Sequence, residues 1–217
     1  MKNNYDPIAN NYDWLSRIFF QQNLISSQTC VLPHIPLQSS ILIIGGGSGW
    51  ILEEIAKIQP SGLRITYVEI SKKMISKAQK RDVRQNEVVF VNQAIEDYST
   101  TAVFDVIFTA YLFDNFGPKR AEQVFNQLNQ LLANDGKWLF VDFHVDETES
   151  PWWQKWWMKT MLFFFGIICD IEARHPLPTE PLFNKNGFIE FYQYTHLHNF
   201  LRSVVYIRSA TEPVLSS

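Results

Sequence analysis

The sequence has few cysteines, little excess charge and no long apolar run. These features argue against a disulfide-stabilised protein, a nucleic-acid-binding protein and a membrane-spanning protein, respectively. Cys30 and Cys169 are the only cysteines in 217 residues. They form no C-x-x-C pair, which excludes a disulfide framework and favours a reducing compartment. The net charge is −3, and like charges are not grouped in blocks, so no nucleic-acid partner is expected.

The sequence also lacks the patterns of a membrane span, an export signal and a metal site. Its longest purely apolar run, Met161–Cys169, is far shorter than the ~20 residues that cross a bilayer. The opening MKNNYDPIANNYDW has no apolar core of the kind found in signal peptides. His196 and His198 share a strand face, but no third ligand is evident. We therefore expect a cytoplasmic protein without a metal ion.

Strand-like and helix-like segments alternate over residues 41–143. Short apolar runs, typical of strands buried on both faces, are followed by segments with helical spacing. Helices are predicted over 48–58 and 71–81 and from Pro118 onwards, and Asn134-Asp135-Gly136 is predicted to turn the chain into the fifth strand. The predicted strands are Ile41–Ile44, Arg64–Glu69, Val88–Val91, Phe104–Thr109 and Lys137–Phe143. This alternation predicts an α/β fold with a doubly wound, Rossmann-like parallel sheet.

The C-terminal part departs from the alternation. Phe188–Thr195 and Leu201–Arg208 resemble two strands, and their link is too short for a crossover helix, so they should pair antiparallel. The full prediction is a seven-stranded sheet with six parallel strands and one antiparallel terminal strand. All 217 residues are assigned to a single domain, in which 1–40 form a helical N-terminal cap and 145–187 form a lid or substrate insertion.

A glycine-rich loop, Gly45-Gly46-Gly47-Ser48-Gly49, joins the first predicted strand to the first predicted helix of this alternation. Glycines allow tight turns and a close approach to a ligand, and Ser48 is a candidate N-cap. Glu69 ends the next strand, where a carboxylate can accept both hydrogen bonds of a ribose diol. The loop and Glu69 together predict a site for a nucleotide-like ligand, although a glycine-rich turn without a ligand is the simpler alternative.

The spacing of the glycines narrows the choice of ligand. The dinucleotide fingerprint G-x-G-x-x-G would place its third glycine at Trp50 or at Leu52, and the phosphate-binding motif ending in G-K-[ST] is absent. The observed spacing, G-x-G-x-G, favours an adenosine compound without a pyrophosphate, namely S-adenosylmethionine. An NAD-dependent oxidoreductase is the weaker alternative.

Several motifs together resemble the class I S-adenosylmethionine-dependent methyltransferases. They are ILIIGGGSG, VEISKKMI, FDVIFTAYLFDNF and LLANDGKWLFVDF, and the opening YDPIANNYDWLSRIFF is similar to ubiquinone/menaquinone-biosynthesis C-methyltransferases and related small-molecule enzymes. The resemblance extends from about Tyr5 to Arg208. It implies that S-adenosylmethionine is bound by Gly45, Gly46, Gly47, Gly49, Glu69, Ile70, Ala94, Ile95, Thr109 and Ala110.

The resemblance also implies a role for each of these positions. The glycines would pass under the methionine part and the ribose, Glu69 would hold the ribose hydroxyls, and Ile70 would pack on the adenine. The backbone at 94–95 would reach the adenine edge, and residues 109–110 would line the methionine end. Two positions depart from the family pattern, since Ile43 and Ala94 stand where acidic residues are usual. A cofactor-binding protein without catalysis is therefore a second alternative.

Candidates for the chemistry follow the carboxyl ends of the predicted strands, where this fold binds ligands. We expect Asp114 or His144 to bind or deprotonate a small apolar or aromatic acceptor, although a helix cap and an exposed loop histidine are their simpler roles. Asp142, for which a strand-end hydrogen bond is the simpler role, is assigned to the substrate pocket. The other residues assigned to this pocket are Tyr111, Tyr5 and Tyr12.

The segment SPWWQKWWMKTMLFFFG holds four of the seven tryptophans. Its aromatic residues could complete the core and the pocket wall. They could also make a peripheral membrane contact, because bulky aromatics combined with lysine are typical of interfacial helices. A dimer contact is the third interpretation, and the sequence leaves the oligomeric state open.

Overall fold

The computed structural model describes residues 21–145, 150–156, 158 and 177–209. Its seven strands are β1 (Ser40–Ile44), β2 (Ser61–Val68), β3 (Gln85–Val91), β4 (Phe104–Ala110), β5 (Leu132–Phe143), β6 (Phe188–His196) and β7 (Leu201–Arg208). They form one sheet in the order β3-β2-β1-β4-β5-β7-β6. Only β7 runs against its neighbours among these strands, so the predicted topology of six parallel strands and one antiparallel strand is confirmed.

Helices flank the sheet and separate its core into two layers. They are α1 (Gln21–Thr29), α2 (Trp50–Ile58), α3 (Lys72–Ala78), α4 (Pro118–Leu131) and α5 (Glu180–Lys185). Strand β1 contributes to both layers, because Leu42 and Ile44 lie in one buried cluster and Ile41 and Ile43 lie in the other. A strand buried on both faces must be apolar at every position, which explains the run ILII.

Helix α4 shows how the sequence pattern produces the packing. Pro118 occupies the first turn, where the missing N–H costs no helical hydrogen bond. The predicted apolar stripe is buried against the sheet at Ala121, Val124, Phe125 and Leu128. Phe125 stacks on Trp138 of β5 with ring centroids 5.0 Å apart. This layer supports the strand ends at which the candidate site lies.

Two local predictions are corrected by the structure. The residue that caps α2 is Gly49, whose φ of 77° lies in the left-handed region, and Ser48 does not cap the helix. Asn134-Asp135-Gly136 lies inside β5, at an irregularity in its register with β4, and does not form a separate turn before the strand. In both cases the tertiary contacts of the loop or strand override a local residue preference.

The two outer segments are only partly described. In the predicted N-terminal cap, α1 packs on β7, where the Ser203 hydroxyl donates to the Ser27 carbonyl at 2.7 Å. Residues 1–20, with Tyr5 and Tyr12, and most of the predicted lid lie outside the described residues. Within the described part of the chain, no helix has the length and apolar character needed to cross a bilayer.

Candidate functional site

The glycine loop lies between β1 and α2 at the carboxyl edge of the sheet. Gly45, Gly47 and Gly49 have φ values of 66°, 63° and 77°, which other residues adopt only with strain. A Cβ placed on Gly49 would lie 2.5 Å from Cβ of Ala78, whereas a Cβ on Gly47 would meet no atom of the described residues within 4 Å. Gly49 is therefore needed for packing against α3, and Gly47 borders open space that a ligand can fill.

Tyr67 of β2 supports this loop from below. Its side chain is fully buried, and its ring is so close to Gly46 that a Cβ there would lie 2.4 Å from the ring atoms. The hydroxyl of Tyr67 donates to the Gly47 carbonyl at 3.0 Å. The Tyr67 ring therefore packs against the loop at Gly46, and the Tyr67 hydroxyl fixes the peptide group that follows Gly47.

Glu69 follows β2 directly and faces the loop, as the sequence predicts. Its Oε2 accepts a hydrogen bond from the Gly47 N–H at 3.1 Å, and its Oε1 accepts from the Ser71 N–H at 2.8 Å. The Asn92 side chain donates to the carbonyls of Glu69 and Ile70, both at 2.9 Å. The carboxylate is thereby fixed beside the open space at Gly47, within reach of a ligand there.

The remaining predicted cofactor positions lie at or after the ends of β2, β3 and β4. Ala94 and Ile95 are buried, and Ile70 and Ala110 are partly buried. Thr109 is fully buried, and its hydroxyl accepts from the Trp138 indole at 2.9 Å, so a ligand would meet its backbone and not its side chain. Their contacts with a cofactor stay predictions.

Asp114 and Asp142 are brought together at the ends of β4 and β5. The Asp142 carboxylate is buried and accepts from the N–H groups of Phe113 and Phe143 at 3.2 and 2.9 Å. The strand-end hydrogen-bonding role is therefore present for Asp142. Burial, and then the negative charge of Asp114, raise the pKa of Asp142 well above its usual range.

Asp114 itself has a pKa suited to proton transfer near neutrality. Burial raises its pKa from 3.8 to about 7, although its own N–H and the Asn115 amide, at 2.6 Å, donate to it. Asp114 does not cap α4, whose N-cap is Gly117. Two neighbouring carboxyl groups that do not both ionise at neutral pH are typical of functional sites.

We expect the carboxyl pair to make folding stability depend on pH. Because the pKa of Asp114 is raised in the folded chain, its contribution is complete below about pH 4 and is lost as the pH rises through about 7. The free energy of unfolding should fall by about 1–3 kcal/mol from pH 5 to pH 8, at ~1.4 kcal/mol per pKa unit. Urea titrations at several pH values measure this change in the free energy of unfolding. Asp114→Asn should weaken the dependence and leave the part that comes from the buried Asp142, whereas Asp135→Asn, at an exposed position, should leave the dependence unchanged; equal slopes in both variants would contradict the assignment.

His144 directly follows β5 and belongs to a charged group that does not include the two aspartates. Its Nδ1 is 3.1 Å from Oε1 of Glu180, which also pairs with Arg202, and Arg202 pairs with Glu190. Burial alone would raise the pKa of Glu180, but the hydrogen bond from His144 and the charge of Arg202 lower it to about 2. His144 is thus neither a free nor a fully exposed loop histidine. A carboxylate orients its ring.

A cavity of about 240 Å³ adjoins this group, lined by His144, Gln193, Thr195, Asn199 and Arg202. It lies at the carboxyl edge of the sheet, because Arg202 of β7 pairs in register with Asp142 of β5 and with Thr195 of β6. The lining is polar, and the Nε2 atom of His144 is on the side of the ring opposite Glu180. This arrangement can accept a proton from a molecule in the cavity.

Tyr111 is the third residue placed at this edge. It has a φ of 53°, which is strained for a non-glycine residue, and its hydroxyl lies 2.7 Å from the Ser27 hydroxyl of α1. Its ring is 5.0 Å from that of Phe143. Tyr111 and Phe143 therefore place an aromatic surface beside the carboxyl groups.

The tryptophan-rich segment is attached to the same edge. Gln154 is fully buried and donates to the carbonyls of Leu197 and His198 at 3.1 and 2.9 Å. Trp153 packs against Phe200, whereas Trp152 and Trp156 are 78% and 60% exposed. One side of this helical turn thus belongs to the fold and the other faces outwards, and the membrane and dimer contacts stay predictions. In the described residues no cluster of side chains has the composition of a metal site.

The residues of the site that the sequence does not reveal include Tyr67, Glu180 and Arg202. Tyr67 stands two positions before Glu69, but an aromatic residue in a buried strand is unremarkable by itself. Glu180 and Arg202 meet His144 only because α5, β5 and β7 pack together. No sequence motif marks such a group.

Comparison with known proteins agrees with this geometry. Residues 41–136 match a family model described as a methyltransferase domain. No curated protein matches the sequence. Among solved structures, the chain is similar to an O-methyltransferase family protein from Burkholderia thailandensis, with 14% identity, 94% of this chain and 60% of that chain covered, and a TM-score of 0.72.

Two further structures contain the demethylated cofactor, S-adenosylhomocysteine. One is the N-methyltransferase NodS from Bradyrhizobium japonicum WM9, with 17% identity, 94% and 95% coverage of this chain and that chain, and a TM-score of 0.64. The other is CalO1, a methyltransferase of calicheamicin biosynthesis, with 16% identity, 87% and 54% coverage and a TM-score of 0.63. The chain spans about half the length of CalO1. These similarities confirm the class I methyltransferase fold that the sequence predicts.

Proposed function

We propose that the protein is an S-adenosylmethionine-dependent methyltransferase that acts on a small acceptor with an apolar or aromatic body. The observation that carries the proposal is the placement of the Glu69 carboxylate at the Gly47 N–H, beside open space at the end of β1. A carboxylate there can bind a ribose diol, and glycine leaves room for the sugar and the methionine part. The matched methyltransferase-domain family and the relatives that hold S-adenosylhomocysteine support this choice.

The residues present fit this cofactor. Gly45, Gly47 and Gly49 would border its methionine part and ribose, Glu69 would bind the ribose hydroxyls, and residues 94–95 would lie at the adenine edge. The cofactor supplies a methyl group on a sulfonium, whose sulfur is already a good leaving group. The protein therefore has to align the acceptor and exclude water, and orientation alone can contribute roughly 7–11 kcal/mol.

The acceptor would lie at the ends of β4 and β5. The rings of Tyr111 and Phe143 offer it an apolar surface, and the nearby carboxyl groups and His144 offer it polar contacts. An O–H or N–H acceptor loses a proton during methyl transfer. Asp114 or the Nε2 atom of His144 would take up that proton, because Glu180 holds the opposite nitrogen, Nδ1, of His144 as a donor.

We expect His144→Ala to lower the methyl-transfer rate ~100- to 10,000-fold, the usual contribution of a general base. Asp114→Asn tests the second candidate. Glu180→Gln should cause a smaller loss, because it weakens the contacts of Glu180 with His144 and Arg202 but leaves the imidazole itself in place. Rates are measured with methyl-labelled S-adenosylmethionine and an acceptor found in a screen of phenols and amines, with His198→Ala, an exposed histidine, as the matched control. Affinity for S-adenosylhomocysteine should not change in any of them. Unchanged turnover in both His144→Ala and Asp114→Asn would eliminate these residues as bases.

Two alternatives are separated from the proposal by direct measurements. An NAD-dependent oxidoreductase is disfavoured because Trp50 and Leu52 occupy the positions of the third fingerprint glycine. Titration calorimetry should detect S-adenosylmethionine and S-adenosylhomocysteine but not NAD. Binding without methyl transfer to any acceptor in the screen would favour the other alternative, a binding protein without catalysis. Binding of NAD alone would overturn the proposal.

A further inference from the structure

Two side chains from the end of β2, Tyr67 and Glu69, form hydrogen bonds with the peptide groups of Gly47. The N–H of Gly47 donates to Glu69 at 3.1 Å, and its carbonyl accepts from the Tyr67 hydroxyl at 3.0 Å. The next carbonyl, that of Ser48, accepts from Nε of Arg81 at 3.0 Å. Two consecutive carbonyls are therefore bound by side chains, which limits the orientations of the peptides on the ligand side.

Tyr67 adds a steric restraint to its hydrogen bond. Its ring occupies the space that a Cβ of residue 46 would need. The ring of Phe90 in β3 also packs against the Tyr67 ring, with centroids 5.4 Å apart. Because Tyr67 is fully buried, the ring has no room to turn away from the loop. The position of the hydroxyl is thus set by the sheet and not by the loop.

The neighbour of Tyr67 in the sheet explains why this restraint matters. Ile43 of β1 pairs in register with Tyr67 and is fully buried in the apolar core. An alkyl side chain there has no polar atom with which to hold the loop or a ligand. Tyr67 provides, one strand away, a polar atom that reaches the loop at Gly47.

We propose that Tyr67 is a positioning residue that holds the glycine loop in the shape required by the methionine part of the cofactor. The proposal rests on the proposed function, because the ligand of the loop is taken to be S-adenosylmethionine. Tyr67 does not touch the ligand. It acts through the Gly47 carbonyl, while Glu69 acts on the ribose.

Two ligands separate this role from a general effect on folding. S-adenosylhomocysteine has the methionine-derived part, and adenosine has only the ribose and adenine. Tyr67→Phe should weaken S-adenosylhomocysteine about five- to tenfold, the effect of one net hydrogen bond, and should leave adenosine within twofold. The matched control is Tyr206→Phe, since Tyr206 is equally buried and its hydroxyl has no hydrogen-bond partner among the described residues. It should change neither affinity.

Calorimetry gives the affinities, and the amide resonance of residue 48 gives a second readout without ligand. Loss of the Tyr67 hydroxyl should shift that resonance, because it belongs to the same peptide group as the Gly47 carbonyl. Unchanged affinity for S-adenosylhomocysteine in a folded Tyr67→Phe variant would overturn the inference, as would equal weakening of both ligands. If the unchanged protein bound neither ligand, the proposed function would fail first, and this inference with it. An unshifted residue 48 resonance would overturn the contact independently of any ligand.

Discussion

Replacing Glu69 with alanine is expected to lower the affinity for S-adenosylmethionine at least about 100-fold, the largest effect on binding that the site predicts. Hydrogen bonds to a charged group contribute about 1.5–3 kcal/mol each, and a ribose diol can make two of them with one carboxylate. A loss of ~2.7 kcal/mol already corresponds to a factor of 100 in the dissociation constant. Titration calorimetry with S-adenosylhomocysteine and with adenosine measures the effect. Both ligands should be weakened, because both contain the ribose.

The control for this substitution must account for the second role of Glu69, which also holds the N–H groups of Gly47 and Ser71. Glu69→Gln keeps the size of the side chain and one acceptor oxygen but loses the charge, so it should fall between the parent and Glu69→Ala. Glu87→Gln changes an exposed carboxylate on β3 and should have no effect. If Glu69→Ala, shown to be folded by circular dichroism, bound adenosine as tightly as the parent, the assignment of the ribose site would be wrong.

The second large effect is expected from alanine at two glycines of the same loop, with opposite consequences. Both positions have φ near +70°, where a residue with a Cβ costs about 1–2 kcal/mol. At Gly49 the new Cβ would also lie 2.6 Å from Cα of Ala78, a backbone atom that cannot move without displacing α3. Gly49→Ala should therefore lower the free energy of unfolding by about 2–5 kcal/mol, since overpacking adds roughly 1–3 kcal/mol to the strain.

Gly47→Ala should instead keep most of the stability and lose the ligand. Its Cβ meets no atom within 4 Å in the part of the chain that the structure describes, so only the backbone strain of about 1–2 kcal/mol is expected. The methyl group would, however, occupy the space proposed for the cofactor, and we expect at least a tenfold loss of affinity for S-adenosylhomocysteine. Chemical denaturation and calorimetry on both variants provide the comparison. A Gly47→Ala variant that binds normally would show that the ligand does not approach this part of the loop.

The sheet could be predicted in detail because its pattern is local. Each strand of the alternating part contains a short apolar run, and α4 repeats apolar residues at helical spacing. The hairpin of β6 and β7 was predictable from the shortness of its link. The loop and Glu69 were found for the same reason, since a glycine run at a strand end and an acidic residue at the next strand end are both visible along the chain.

The errors and omissions arose where distant residues decide the outcome. Ser48 is a good N-cap by propensity, but Gly49 takes that position because α3 packs against it and excludes a Cβ. The raised pKa of Asp114 follows from its burial, and the orientation of His144 follows from Glu180, which packing alone brings close. Burial and the proximity of charges are properties of the folded chain and have no signature in residue spacing.

For this protein, the sequence by itself determined the class of fold, the order of its elements, and the bend at which a ligand would sit, because hydrophobic periodicity and glycine placement act over a few residues. Tertiary structure alone decided which side chains support that bend and which carboxyl groups are buried next to each other. Tyr67 meets Gly47 through the pairing of β2 with β1, and Asp142 meets Asp114 through the pairing of β5 with β4. Those contacts depend on strand register and on the exclusion of water. Both arise only when the strands have paired and the helices cover the sheet.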